Sequence, residues 1–458
     1  MGKPTDKQVV WDNERKKTNR TALFSIALAV IMILTFFAGY FVRGTVEPAE
    51  SQEMSALMRI ITERWMSQKN TEELSADFIN LVIKPYDAYA TYYTPQEYKK
   101  LVEEDKGRYS GVGIALRENS EGYVQVAKVY LNSPAYKNGV ETGDVLVAGI
   151  KKGETEYTVF QDEISEGKTA LSVVNDLFAG YSIGDTILLK FQSGSAEPKE
   201  ITLEKEDYIV SYVEYMDNEK YYYFSSTKED GFHGRESTDI GKILPTLNDD
   251  TAYIKLYEFE GDAAKQFEKA LDYMVTERHR KKLILDLRDN GGGILDILMD
   301  IASYLVTDKN ADKLLVLKSE DKNSLTRYTK VKRFKGLTDV SVIANAGTAS
   351  AAECLIGALI DYGNKENYGG IQFDYSRLIL TPKQIDGQDV YRTYGKGIMQ
   401  TTYSLPSGGA LKLTTAKIYW PHSVDENGKP FCVQDRGVTD GIKETDENAI
   451  NRANEVLH

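Results

Sequence analysis

Between Ala22 and Val42 the chain runs twenty-one residues, ALFSIALAVIMILTFFAGYFV, without a charge. As a helix rising ~1.5 Å per residue, such a run reaches ~31 Å, the depth of a bilayer's hydrocarbon core. The rival reading is a cleaved signal peptide, whose apolar region is usually about 7–15 residues and ends at an A-x-A-like site; neither feature fits well. The expectation is a transmembrane helix over 22–42. Residues 1–20 carry six basic and three acidic side chains, whereas the far flank has Arg43 followed by Glu47 and Glu50. The positive-inside rule then makes residues 1–21 a cytoplasmic tail and puts the rest of the chain outside the cell membrane as the product of a single pass.

That external part is long and acidic. A chain of 458 residues is expected to hold two or three domains, and its 41% hydrophobic and 27% charged residues exclude a multi-pass transporter and a disordered chain. The net charge of −13, with +3 in the first twenty residues, leaves −16 outside, which excludes a protein held on nucleic-acid phosphates. Cys354 and Cys432 are too few for a disulfide framework, no Cys/His cluster supplies metal ligands, and only His233, His279, His422 and His458 could offer imidazole chemistry.

Residues 43–108 read as an N-terminal helical region, with Met54, Leu57, Ile60, Ile61 and Trp65 at helical spacing, a Tyr-rich stretch AYATYYTPQEY at 88–98, and a helix start at Thr94 and Pro95. From Tyr109 short β-type runs take over: GVGIAL, YVQVAKVY, DVLVAGI, TILLKF and EITLEKE, with a helix expected over Ala170–Ala179. The order of these runs around SPAYKNGVETGD resembles a PDZ domain, placed here at 109–208. That resemblance implies capture of another chain's C-terminal tail as an added strand. The loop Gly111, Val112, Gly113, Ile114 would cradle the carboxylate, although the glycines could equally serve a tight turn. The polar stretch 216–249 reads as an exposed loop insertion. Beyond it, TAYIKLYEF, a helix from Asp262, LILDL, the loop RDNGGG and the helix ILDILMDIASYLV form an α/β unit.

The loop at 290–293 lacks the spacing of a nucleotide cradle, but it can present N–H groups to a developing oxyanion. In NAGTASAAECLIGALIDYG (345–363), strand VSVIAN ends in small residues and a helix begins at Ser350. An uncrowded serine at the positive end of a helix suits a nucleophile. Ser350-Ala351-Ala352-Glu353 is equally a capping box, and spacing alone leaves both readings open. A base for Ser350 could be His422, or a lysine whose pKa of about 10.4 is lowered by burial. In YGKGIMQTTY, Lys396 and Gln400 would share one side of an extended strand, so the amide could orient the amine.

Taken together, the Tyr-rich stretch, LILDLRDNGGG (283–293), TASAAE (348–353), GKGIMQ (395–400) and GGALKLTTAKIYWP (408–421) resemble, in order, the carboxy-terminal processing peptidases, or tail-specific proteases. The resemblance implies an α/β (α+β) fold: a crotonase-like ββα serine protease core over 209–458, with the inserted PDZ domain and N-terminal helices. It implies Ser350 as nucleophile, Lys396 as general base, Gln400 as its orienting partner, and the N–H groups of Gly292 and Ala351 as oxyanion hole, with no metal and no cofactor. The partners implied are protein or peptide substrates with free C-termini. The N-terminal helices are a candidate homodimer surface, and the membrane is held by one helix. Departures from the family pattern are Gly291 where proline is usual, extra material around Asn367–Arg392, and a GVTDGI ending that blurs the C-terminal boundary. The alternative function is a catalytically inactive peptide-binding scaffold of the same fold.

Overall fold

The computed structural model describes residues 55–57, 59–60, 71–165, 168–225, 234–236, 245–306, 314–319, 324–327, 336–363 and 371–457. The expected membrane span and cytoplasmic tail lie outside these residues, and among the described helices none is long and apolar enough to cross a membrane. The chain divides into two compact units, Met1–Phe78 and Ile79–His458. In the first, the helix Thr71–Phe78 is the main described element.

The second unit is built on an eight-stranded mixed sheet. Its parallel half sets Thr251–Leu256, Lys282–Asp286, Asp339–Ala344, Leu378–Leu380 and Ile442–Lys443 side by side. Strand period decides which residues face which layer. Leu283 and Leu285 enter the main core with the helices Ala263–Asp272, Leu295–Leu305 and Ala351–Tyr362, while Ile284 points the other way, into a second cluster with Ala449 and Ala453 of the C-terminal helix Ala449–Glu455 and Leu457 just after it. Both faces being covered, the strand reads as the continuous apolar run LILDL. The blurred C-terminal ending is thus part of the core fold: one strand and one helix of it close the sheet.

Two expected insertions are corrected. Residues 216–224 are not loop: Val213–Asp217, wholly buried, and Lys220–Phe224 form a hairpin that extends the main sheet antiparallel to Thr251–Leu256. Their Val, Tyr and Phe residues make them strand-like despite the polar residues between. The parts of 216–249 at 226–233 and 237–244 lie outside the described residues. Within the described part of the extra material after Asn367, Leu378–Leu380 is a buried sheet strand, whereas the hairpin of Lys383–Ile385 with Gln388–Val390 lies outside the main sheet.

The β-rich part has its own sheet, ordered Ile114–Glu118, Val124–Val129, Val145–Ile150, Thr186–Gln192, Lys199–Glu204, with Tyr157–Val159 beside Val145–Ile150. It also has a separate apolar core including Val126, Leu146, Phe160, Val174 and Leu189. The expected helix is present over Ala170–Ala179, capped by Thr169. A two-stranded ribbon, Arg108–Gly111 with Glu206–Ile209, joins this part to the rest.

A five-stranded sheet carries the last functional pieces. Ile398–Ser404 pairs with Ala410–Tyr419, which also takes Thr91–Tyr93 along its edge. The Tyr-rich stretch therefore contributes a short strand within the expected helical region, as TYY favours. The helix Pro95–Asp105 follows, started by Thr94, whose N–H donates to Glu97 Oε2 at 2.8 Å while its Oγ1 accepts from Glu97 N–H at 3.3 Å.

Candidate active site

The parallel strands Lys282–Asp286 and Asp339–Ala344 deliver two loops to one place, and hydrogen bonds lace those loops together. Ala349 N–H donates to the Asn290 carbonyl at 2.8 Å, Thr348 Oγ1 donates to the Leu287 carbonyl at 2.7 Å, and Asp289 N–H donates to Asn345 Oδ1 at 3.0 Å. Ser350 follows in a conformation that side chains rarely adopt, φ 55° and ψ −115°. A non-glycine residue held there costs on the order of 1–3 kcal/mol, and such strain gathers where surrounding structure fixes a functional side chain. The strain sets Ser350 at the sharp turn between strand and helix.

The glycine loop touches this turn directly. A Cβ on Gly292 would sit 2.7 Å from Ser350 Cβ and 2.9 Å from Ala351 N, so only glycine fits, and its φ of 99° also requires it. Two backbone bonds to Phe259 fix the loop: Phe259 N–H to the Gly292 carbonyl and Ile294 N–H to the Phe259 carbonyl, both 2.8 Å. One expectation changes here. The N–H of Gly292, read as an oxyanion donor, is already engaged at 2.9 Å with Oδ1 of the buried Asn290, whose own Nδ2 donates to the Leu256 carbonyl. The N–H of Ala351, in the first turn of the helix, donates to no protein group among the described residues.

Lys396 precedes the strand Ile398–Ser404 and shares a cavity of about 610 Å³ with Ser350, Gly291–Gly293 and Gln400. Its Nζ donates to Gln400 Oε1 at 3.2 Å. A β-bulge between Met399 and Gln400 interrupts the pairing at this point, a device that re-aims side chains near active sites. Burial, and then the positive charge of Lys412, hold the Lys396 amine below its ordinary pKa. Among the described residues, no hydrogen bond joins Ser350 to Lys396; such bonds commonly tighten only with substrate in place. The cavity wall is acidic, with Asp105, Glu258, Glu260 and Asp296, and has an apolar lining that includes Ile294, Met399 and Ile418. Burial raises the pKa of Asp105, against the lowering influence of Lys412.

Glu353 does more than the capping box foresaw. Its Oε2 accepts the N–H of Ser350 at 2.9 Å, and the same carboxylate accepts the N–H groups of Gly395 and Lys396 at 2.8 and 2.9 Å and the hydroxyl of Thr393. A fully buried carboxylate therefore ties the serine turn to the lysine segment. Burial raises its pKa, opposed by these four hydrogen bonds. Capping and catalytic placement were read as rivals; the carboxylate serves both segments at once. Thr393 and Lys412 carry no sequence signal of their own, and nothing local distinguishes Tyr89 from the other tyrosines of its stretch.

His422 is elsewhere. Its N–H donates to Asp361 Oδ2 and its Nε2 lies 3.1 Å from the Tyr362 hydroxyl, at the end of the twelve-residue helix opposite Ser350. Roughly 18 Å of helix separates it from the serine, too far for it to act as the base. Cys354 and Cys432 are both free thiols. Among the described residues, no cluster of three or more His, Cys, Asp or Glu could hold a metal ion.

In the β-rich part, the carbonyls of Val112 and Gly113 accept from Ala135 and Tyr130 N–H, while the N–H groups of Val112 and Gly113 donate to no protein group among the described residues. A Cβ on Gly113 would fall 1.9 Å from Ser133 Cβ, so close packing requires that glycine whatever binds there. Ile114 begins the edge strand of its sheet.

Comparison with known proteins agrees with this layout. Residues 250–375 match peptidase family S41. A probable CtpA-like serine protease of Staphylococcus aureus is 25% identical over 431 residues, covering 91% of this chain and 72% of the relative. A probable CtpA-like serine protease of Staphylococcus saprophyticus is 24% identical over 384 residues, 83% of this chain and 64% of that one. The solved photosystem II D1 C-terminal processing protease is similar in fold, with a TM-score of 0.50 at 18% identity over 87% of this chain and 90% of its own. The fold is thus a mixed α/β one in which residues 250–375 match peptidase family S41. Over most of its length the chain is similar to CtpA-like serine proteases.

Proposed function

We propose that this chain is a membrane-anchored extracytoplasmic serine endopeptidase that uses a Ser350/Lys396 dyad on a crotonase-like core. The observation that carries the reading is a strained serine sharing one cavity with a half-buried lysine whose amine donates to Gln400. Desolvation makes the free amine more abundant near neutral pH than for an exposed lysine. In the proposed reaction Lys396 takes the Ser350 proton as Oγ attacks the scissile carbonyl. The oxyanion draws on Ala351 N–H and on the 291–293 loop, where Gly292 could join only by exchanging its bond to Asn290. Collapse expels the amine, which takes a proton from the Lys396 ammonium, and water then hydrolyses the acyl-serine.

The β-rich part is read as a PDZ domain that takes apolar C-terminal tails of protein substrates. The uncommitted N–H groups of Val112 and Gly113 support a carboxylate cradle, and the edge strand Ile114–Glu118 supports strand addition. The run 22–42 is the proposed anchor, with the N-terminus cytoplasmic, and the N-terminal helices are the proposed homodimer surface.

The test is cleavage of an unstructured protein. Ser350→Ala and Lys396→Ala should each lower kcat/KM by at least about a thousandfold, the scale of losing a nucleophile or its base; either variant cutting at the wild-type rate refutes the dyad. Deletion of 109–208, or amidation of the substrate's C-terminus, should remove preference for free tails. A wild-type protein that binds such tails and never cleaves would instead be the inactive scaffold.

A further inference from the structure

The lysine is held by a residue from outside its own hairpin. Gln400 Oε1 accepts from Lys396 Nζ, and the other end of the same amide, Nε2, donates to the backbone carbonyl of Tyr89 at 2.8 Å. Lys396 Nζ also lies over the Tyr89 ring, 5.1 Å from its centroid. The Tyr89 phenol interacts with the side chains of Tyr394 and Gln434, and Gln434 Oε1 in turn accepts the N–H of Gly397 at 2.8 Å. One half-buried tyrosine thus meets the lysine segment two residues before the amine, at the amine, and four residues after it.

The loop carrying Tyr89 is itself fixed to that hairpin. Asp87 Oδ1 accepts from Tyr89 N–H at 3.1 Å and from Thr414 Oγ1 at 2.9 Å, while its Oδ2 accepts from Thr414 N–H at 2.8 Å. Thr414 is the cross-strand partner of Gln400, at the bulge. The anchor therefore sits where the sheet is irregular and the amide would otherwise be least constrained.

We infer that Tyr89 is a positioning residue for the general base: its carbonyl fixes the Gln400 amide, and its ring face holds the Lys396 ammonium that forms when the serine proton is taken. The ring's negative face favours the cation, so Tyr89 limits how far the surrounding low-dielectric site depresses the amine. This rests on the reading of Lys396 as base. Among the described residues, the other charged groups facing that amine or its segment include Lys412, Asp105, Glu258, Glu260, Asp296, Glu353, Arg392 and Asp435. All stay in place when only the ring is altered.

The experiment follows the Lys396 ε-carbon titration by NMR in full-length Ser350→Ala protein with 13C-labelled lysine, assigned by its loss in Lys396→Ala, alone and combined with Tyr89→Leu or Tyr89→Phe. Tyr89→Leu removes the ring and keeps the carbonyl, so its midpoint should fall by about half a pH unit. Tyr89→Phe keeps the face, so its midpoint should stay within about 0.2 unit of the Ser350→Ala parent. In the Ser350-containing enzyme, Tyr89→Leu should move the acidic limb of kcat/KM down by a similar amount and lower kcat more than it changes KM. An unmoved midpoint with leucine, or equal shifts with leucine and phenylalanine, overturns the inference. Undiminished cleavage by Lys396→Ala would instead overturn the dyad, whatever Tyr89 does.

Discussion

At the scale of single residues the chemistry depends on an amine that is easy to deprotonate and a serine that is hard to misplace. Burial comes first in depressing Lys396, and the like charge of Lys412 second. Replacing Lys412 by Met removes a repulsion that disfavours the ammonium. The Lys396 pKa should then rise, and the acidic limb of kcat/KM should move to higher pH, on the order of half a unit. A limb that stays put or moves down would show that Lys412 does not act on the base. Because the free amine is the active form, activity increases with pH through this limb in both proteins.

Among the elements, the decisive joint is between the helix Ala351–Tyr362 and the segment that leads into Ile398–Ser404. Glu353 makes that joint through three backbone N–H groups and one hydroxyl. Glu353→Gln keeps the shape but replaces one acceptor oxygen with an NH2 that must face N–H donors. Drift of about an ångström between reacting groups can cost about a hundredfold. Glu353→Gln is expected to lose activity on that scale, mainly in kcat, while circular dichroism stays native. Near-wild-type turnover would mean that the serine and lysine segments keep their relation without the carboxylate. Such a joint could not be read from TASAAE, since a capping box explains the same spacing. Ser350 and Lys396 stood out through their local surroundings; Tyr89 did not, because its partner Gln400 lies far away along the chain.

Across the whole molecule, one ion pair fastens the strand end beneath the site to the C-terminal tail. Asp286 is fully buried, accepts from the Tyr253 hydroxyl at 2.9 Å, and pairs with Arg288, whose Nη1 also donates to the Asp446 carbonyl at 3.1 Å. Burial would raise the Asp286 pKa, but Arg288 and then Lys255 hold it well below the carboxylate range. The stability it contributes is present above the unfolded value near 3.9 and is lost as pH falls toward the lower folded value. Arg288→Met leaves that charge buried and unpaired, at a cost of about 3–5 kcal/mol near pH 7. The deficit against wild type should narrow toward pH 4, where the orphaned carboxyl can protonate; urea midpoints at both pH values check this. A deficit that is constant with pH would assign the loss to packing alone.

Local pattern was enough for the strands and helices whose apolar period is unbroken, such as Lys282–Asp286 and Ala170–Ala179, and for a serine at a helix start and a lysine beside a glutamine. Side-chain period and small-residue loops are properties of neighbouring residues, so the sequence by itself determined them. Only the tertiary structure decided that polar 216–224 continues the main sheet, that Gly292 N–H is engaged by Asn290, that His422 lies a helix length from Ser350, and that Glu353 and Tyr89 hold the lysine from two sides. Apart from the short-range Asn290–Gly292 bond, each of those facts is a meeting of residues tens to hundreds of positions apart, fixed by packing and by the need to satisfy buried polar groups.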